Sequence, residues 1–202
     1  MTRLGVFGGS FDPIHCGHLR LAEEARETFA LDSVLFVPTQ VSPFKTGRTV
    51  TPAAHRLEMV KRATADNAAF AVSAIECERG GTSYTADTLR VLRDEMPDAE
   101  LVFLTGADAL AGLPRWRDPD AVMALARFAV ATRPGTSEDE IRSLIAHLPE
   151  PWRERIRFFA MTGLAISSTD LRARLKAGRS VRYLVPDAVG AYIAAHGLYK
   201  EE

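Results

Sequence analysis

Six short segments of the sequence are largely apolar, without the regular alternation of a strand that has one face in water. Continuous apolar runs of this length suit strands that are covered on both faces, as in a parallel sheet. They lie at residues 4–7, 33–37, 70–75, 101–104 and 128–131, with a weaker sixth at 156–159.

Between these runs, apolar residues recur three or four positions apart, which is the spacing of one helix face. Such stretches follow His18 and Pro52, fill residues 85–93, precede Gly178 and occupy residues 188–195. The alternation predicts a Rossmann-like doubly wound parallel sheet with helices on both faces and a small C-terminal helical part. The part from residue 156 either extends the sheet or packs as a small subdomain. Ligands of such sheets bind at the carboxyl ends of the strands, where the strand order reverses.

Length and charge narrow the class of protein. We expect one domain over residues 1–202, because this length suits a single core. A net charge of −1 gives no reason to expect nucleic acid or a membrane surface as a partner. No run approaches the ~20 apolar residues of a membrane span, and neither Cys16 nor Cys77 has metal-type or disulfide spacing. We therefore expect a cytoplasmic protein, and the sequence leaves its oligomeric state open.

The loop after the first apolar run is the strongest candidate for a ligand site. Gly8 and Gly9 allow close approach of the backbone, and His15, Gly17 and His18 follow where a helix begins. The start of a helix favours phosphate, and each imidazole can donate a hydrogen bond to a phosphate oxygen. The alternative is that both histidines are ordinary turn residues. Neither the dinucleotide fingerprint G-x-G-x-x-G nor a P-loop sequence is present.

A second candidate anion site precedes the helix that ends near Gly178. Three consecutive hydroxyl residues, Ser167, Ser168 and Thr169, are followed one turn later by Arg172. One hydroxyl suffices for an ordinary N-cap, which is the alternative for Ser167 or Ser168. Three hydroxyls with a guanidinium favour a second phosphate-binding helix start.

Together the two loops resemble the nucleotidyltransferase α/β phosphodiesterase superfamily, and the whole chain resembles its bacterial nicotinate-nucleotide adenylyltransferases. The resemblance rests on Gly9-Ser10-Phe11-Asp12-Pro13 with His15-x-Gly17-His18, on Ile166-Ser167-Ser168-Thr169-x-x-Arg172, and on Ser83-Tyr84-Thr85, Gly106-x-Asp108, Trp116 and Arg133-Pro134-Gly135. It implies that ATP is bound by Gly8, Gly9, Ser10, Phe11, Gly106, Ser167, Ser168 and Thr169, with His15, His18 and Arg172 as catalytic residues.

The same resemblance implies a site for nicotinate mononucleotide. Its residues would be Lys45, Tyr84, Thr85, Asp108 and Trp116, with Lys45 on the phosphate and Trp116 stacked on the pyridine ring. Phe44 stands where the family usually has a histidine. An indole face can stack on pyridine, and Asp108 can accept hydrogen bonds from ribose hydroxyls. The alternatives are a core position for Trp116, a half-buried helix start for Tyr84 and a helix cap for Asp108.

The reaction implied is transfer of AMP from ATP to nicotinate mononucleotide, which gives deamido-NAD and pyrophosphate. Mg²⁺ would travel on the phosphates of ATP, because it retains water and needs few protein ligands; the sequence offers no dedicated metal cluster. Two alternatives stay open: a phosphopantetheine adenylyltransferase, which shares both end motifs, and a non-catalytic sensor of adenine nucleotides.

Overall fold

A computed structural model describes residues 1–43 and 50–200, and its centre is a sheet of six parallel strands. The strands are Arg3–Gly9 (β1), Ser33–Pro38 (β2), Phe70–Val72 (β3), Glu100–Gly106 (β4), Arg127–Thr132 (β5) and Ile156–Ala160 (β6). Their order across the sheet is β3-β2-β1-β4-β5-β6, so the order reverses between β1 and β4. The predicted doubly wound parallel sheet is confirmed.

Helices connect the strands on both sides of the sheet. They are Cys16–Thr28 (α1), Ala53–Thr64 (α2), Ile75–Arg79 (α3), Thr85–Glu95 (α4), Ala107–Leu110 (α5), Pro119–Leu125 (α6), Glu138–Ile145 (α7), Glu150–Arg153 (α8), Ser168–Lys176 (α9) and Asp187–Ala195 (α10), with a short 3-10 helix at Leu113–Arg115. None of the helices in the described residues is long and apolar enough to cross a membrane.

Each face of the sheet carries its own apolar core. One core contains Phe7 and Phe36 with buried residues of α1, α2, α9 and α10, and the other contains Val6 and Phe103 with buried residues of α4 and α6. This double burial explains the continuous apolar runs in the sequence. Gly5 in the central strand has no space for a side chain, because an added Cβ would lie 2.9 Å from Leu31 Cδ1.

Two details of the chain course differ from, or complete, the sequence prediction. The third strand ends at Val72, so the predicted run to residue 75 is too long. The N–H of Ile75 donates to Ser73 Oγ at 3.3 Å, and α3 begins at Ile75. Beyond residue 156 the chain extends the sheet, since β6 pairs in parallel with β5. The short helices α3, α6, α7 and α8 were not predicted. The helix that Asp108 would cap in the alternative interpretation is present as α5, but its N-cap residue is Gly106 and Asp108 lies inside it.

Candidate active site

The carboxyl ends of β1 and β4 face a cavity of about 550 Å³ at the point where the strand order reverses. Gly8, Gly9 and Ser10 line it from the β1 side, and Thr105 and Asp108 from the β4 side. The fold therefore places the predicted first loop where doubly wound sheets bind their ligands.

The two histidines of the first loop lie against each other at the start of α1. Their rings stack with centroids 3.6 Å apart and planes 25° apart. The His15 N–H donates to His18 Nδ1 at 3.2 Å, and His15 is the N-cap residue of α1. Because Nδ1 of His18 accepts, a neutral His18 carries its proton on Nε2, which makes that atom a donor. The ring of Phe11 meets His18 edge-on at 5.2 Å and fixes its orientation.

His15 is the more buried of the pair. Only 6% of its surface is exposed, and burial lowers its pKa to about 4. Its Nδ1 atom is buried and has no hydrogen-bond partner among the described residues. His15 is therefore neutral near pH 7, with an unsatisfied polar atom beside the helix start.

This burial predicts a specific dependence of stability on pH. The unfolded chain takes up a proton at His15 near pH 6.5, but the folded chain does so only near pH 4. Stability therefore falls as the pH drops from 6.5 towards 4, by about 3 kcal/mol from this group. We expect His15→Asn, which keeps a good N-cap residue, to show a shallower loss in urea unfolding between pH 6.5 and 4.5. Equal slopes for the two proteins would contradict the assignment.

Gly17 leaves room for the stacked histidines. A Cβ at this position would lie 3.0 Å from His15 Nδ1 and 3.1 Å from His15 Cε1. Since contacts this short force neighbouring atoms to move, the position of the His15 ring depends on the absence of a side chain at residue 17.

The second predicted anion loop is bonded directly to the first. Ser168 Oγ donates to the Pro13 carbonyl at 2.9 Å, and Arg172 Nη1 donates to the Asp12 carbonyl at 2.7 Å. The start of α9 is thereby held beside the start of α1. Ser167 Oγ accepts from the Asp170 N–H at 3.1 Å, which confirms the N-cap interpretation for that residue. Thr169 Oγ1 lies 3.4 Å from Arg172 Nη2.

The Asp12 carboxylate gives the first loop further contacts with the C-terminal part of the chain. Tyr199 donates its hydroxyl to Asp12 Oδ1 at 2.7 Å, and Arg172 Nη1 lies 4.0 Å from Asp12 Oδ2. Burial raises the pKa of the Tyr199 phenol, so the phenol remains the donor. Together with Ser168 on the Pro13 carbonyl, three residues from the C-terminal part of the chain thus hold the loop between β1 and α1.

The opposite wall of the cavity carries the residues expected to contact the mononucleotide. Tyr84 is the N-cap residue of α4 and Thr85 its first residue, and no side chain caps this helix. The Arg117 guanidinium lies 4.5 Å from the centre of the Tyr84 ring. Trp116 lines the cavity, and its half-buried indole meets the Phe103 ring edge-on at 5.8 Å. Trp116 therefore serves both the core and the cavity wall.

Among the described residues, several predicted site residues are not among those that line the cavity: Phe11, His15, His18, Gly106, Ser167, Ser168, Thr169 and Arg172. Phe11 is buried, and its ring covers Gly9 and packs in the core, with a backbone φ of 47°. Any contact of Phe11 with a ligand in the cavity would therefore come from its backbone. Gly106 is the N-cap residue of α5 at the end of β4. Lys45 and its neighbour Phe44 lie outside the described residues.

Comparisons with known proteins agree on one family. The model of the cytidylyltransferase-like family matches residues 6–174. A protein of Thermomicrobium roseum named probable nicotinate-nucleotide adenylyltransferase is 46% identical over 200 residues, which cover 99% of this chain and 92% of the relative. A Roseiflexus protein of the same name is 48% identical over 199 residues, covering 98% of each chain.

The chain belongs to the nicotinate-nucleotide adenylyltransferase family. A solved structure of Plasmodium falciparum nicotinic acid mononucleotide adenylyltransferase, complexed with NaAD, has a TM-score of 0.79 and covers 98% of each chain. At 18% sequence identity this likeness shows the shared fold.

Two buried charged residues at this adenylyltransferase-family site were not predicted. The Glu76 carboxylate lines the cavity and accepts from Thr88 Oγ1 at 2.6 Å, and burial raises its pKa. Arg56 on α2 is 1% exposed and donates to the Ser10 carbonyl at 2.8 Å. A charged residue within a helix pattern is usually taken as solvent-exposed, and no local motif marks either position.

Proposed function

We propose that the chain transfers AMP from ATP to nicotinate mononucleotide, giving deamido-NAD and pyrophosphate. The observation that carries this proposal is the bonding of α9 to the first loop. Through Ser168 and Arg172 it brings two helix starts and the stacked histidines together in the loop that continues from Gly8, Gly9 and Ser10, which line an aromatic-lined cavity. The names of the relatives support the same reaction.

For this reaction the protein has mainly to position the two substrates and to stabilise the charge of the transition state. An oxygen of the mononucleotide phosphate attacks the α-phosphorus of ATP, a new P–O bond forms, and the bond to pyrophosphate breaks in line with it. The attacking oxygen is already anionic, so no side chain has to remove a proton. His18, with its proton on Nε2, and Arg172 would donate to the phosphate oxygens on which negative charge grows as pyrophosphate leaves.

Mg²⁺ would enter with ATP as part of the substrate. Within the parts of the chain that the structure describes, no group of three or more His, Cys, Asp or Glu side chains could hold a metal ion. The phosphate oxygens and water would therefore supply most of its ligands, as is usual for Mg²⁺ bound with a nucleotide.

The acceptor would occupy the wall formed by Tyr84, Thr85 and Trp116. The first-turn N–H groups of a helix lack intrahelical partners and carry partial positive charge. Because α4 has no side-chain cap, its start suits the carboxylate of nicotinate better than the neutral amide of nicotinamide. Asp108 would accept from ribose hydroxyls, and Lys45 would contact the mononucleotide phosphate. Residues 1–202 would act as one nucleotidyltransferase domain in the cytoplasm.

Pyrophosphate release from MgATP tests the proposal directly. Nicotinate mononucleotide, nicotinamide mononucleotide and phosphopantetheine are offered in parallel, and we expect a strong preference for the first. Preference for phosphopantetheine would overturn the assignment of Tyr84 and Trp116. ATP binding without release with any acceptor would indicate a sensor.

Gly17→Ala separates activity from stability at the histidine pair. The new Cβ displaces the His15 ring by a few tenths of an ångström, and we expect kcat to fall about tenfold. The free energy of unfolding should stay level or rise, since alanine favours helix by ~1 kcal/mol over glycine. Gly190→Ala in α10 is the matched control, because its Cβ would meet only Val185 Cγ2 at 3.7 Å. Unchanged kcat in Gly17→Ala would mean that the ring position does not matter.

A further inference from the structure

Arg56 makes an unusual set of hydrogen bonds for a buried cation. Its Nε donates to the Thr51 carbonyl at 2.7 Å, Nη1 to the Ser10 carbonyl at 2.8 Å and Nη2 to the Gln40 carbonyl at 2.9 Å. All three acceptors are main-chain carbonyls, which carry only partial negative charges, so none of these bonds is an ion pair. Burial lowers its pKa, and Asp12 opposes that effect.

The three carbonyls belong to segments that meet only in the folded protein. Ser10 lies in the loop after β1, which leads to the histidine pair, whereas Gln40 lies in the loop after β2. Ser10 and the neighbours of Gln40, Thr39 and Ser42, all line the cavity. Thr51 lies just before α2, which carries Arg56 itself. One guanidinium thus joins two loops that both line the cavity, beside the bond that the Thr39 N–H donates to the Gly9 carbonyl at 3.0 Å.

The loop after β2 is in turn bonded to the wall proposed for the acceptor. The Gln40 N–H donates to Ser83 Oγ, and the Ser83 N–H donates to the Val41 carbonyl, both at 2.9 Å. Ser83 directly precedes Tyr84. A continuous path of hydrogen bonds therefore runs from the start of α4 through Gln40 and Arg56 to Ser10. From Ser10 the backbone continues to Asp12 and Pro13, which α9 holds.

Burying a guanidinium among carbonyls is an expensive way to stabilise a fold, because the charge loses its hydration. A long apolar side chain would fill the same volume without that cost, but it could not join three backbone segments. The planar fork of arginine presents donors in several fixed directions, whereas lysine presents one nitrogen. The three hydrogen bonds of Arg56 come from three different nitrogen atoms, which lysine does not have.

We infer that Arg56 is a positioning residue. It holds the loop after β1, which contains Ser10 and leads to the proposed ATP site, and the loop after β2, which contains Gln40 and is bonded to the proposed acceptor wall, at the separation needed for in-line attack. The inference rests on the proposed function, since it concerns the alignment of the two substrates. If Arg56 has this role, replacing it should leave the binding of each substrate alone unchanged and slow the reaction between them. A purely structural role would not separate binding from turnover in this way.

Arg56→Lys tests this distinction, because it keeps the charge and removes the fork. We expect Kd for each substrate alone to stay within about threefold and kcat to fall about 100-fold, the effect of a misplacement near 1 Å. Arg56→Met is the second variant, and it should lose at least as much kcat. Val60→Ala is the matched control, since Val60 is a fully buried residue on the same helix that contributes only to the core.

All proteins are compared at a temperature where thermal unfolding shows them to be folded. Wild-type kcat in a folded Arg56→Lys protein, or an equal loss in Val60→Ala, would overturn the inference. So would failure of both Arg56 variants to fold, because the residue would then serve stability alone. Absence of turnover by the wild-type protein with every acceptor would instead refute the proposed function, which keeps the two failures distinguishable.

Discussion

Replacing His18 with alanine is expected to lower kcat by about 100-fold or more, the usual effect of losing a preorganised donor to the transition state. Two functions of His18 are lost together in that variant. Its Nδ1 accepts from the His15 N–H at 3.2 Å, and its Nε2 carries the proton proposed to reach the phosphates. Steady-state pyrophosphate release with saturating substrates measures the effect.

His18→Asn separates these two functions. The amide oxygen of asparagine can accept from the His15 N–H, because it occupies nearly the position of Nδ1, but no donor reaches as far as Nε2. We expect His18→Asn to be as impaired as His18→Ala. His196→Ala is the control for loss of a histidine, since His196 lies after α10 beside Tyr192. Near-normal kcat in a folded His18→Asn protein would show that the bond at the helix start is the important function.

Arg172→Lys is expected to lower kcat/KM by about 100-fold, with little change in the free energy of unfolding. Arg172 Nη1 donates to the Asp12 carbonyl at 2.7 Å, which leaves other donors of the same planar group for phosphate oxygens. A lysine nitrogen cannot make both contacts with the same geometry. Lysine keeps the positive charge near the buried Asp12 carboxylate, so the free energy of unfolding should change only slightly.

Arg174→Lys on the same helix is the matched control for Arg172. Arg174 Nε donates to the Ser180 carbonyl at 3.1 Å, in the segment that follows α9. Its replacement should leave kcat/KM close to the wild-type value. If Arg174→Lys lost as much activity as Arg172→Lys, the effect would reflect the general charge of α9, and the specific role of Arg172 would be wrong.

The features that the sequence predicted well are those encoded by neighbouring residues. Strands buried on both faces appear as continuous apolar runs, and the order of runs and helices fixes a doubly wound sheet. The sequence His15-x-Gly17-His18 is local too, and its spacing brings both rings to the start of α1. Ser167 likewise caps α9 through a residue three positions away.

The features that escaped prediction depend on contacts between distant segments. Arg56 bonds to a carbonyl 46 positions earlier in the chain, and no pattern around residue 56 indicates burial. Phe11 belongs to the first loop, but its ring turns away from the cavity to cover Gly9. The predicted run at residues 70–75 continues past the true end of β3 at Val72, where Ser73 accepts from the Ile75 N–H and begins the turn into α3.

The bond from Tyr199 to Asp12 can form only late in the synthesis of the chain. The two residues are 187 positions apart, and Arg172, which also bonds to Asp12, is 160 positions from it. A ribosome adds about 5–20 residues per second, so the histidine loop emerges many seconds before either partner exists. A nascent chain that already has its central strands therefore still lacks the two side chains that hold Asp12.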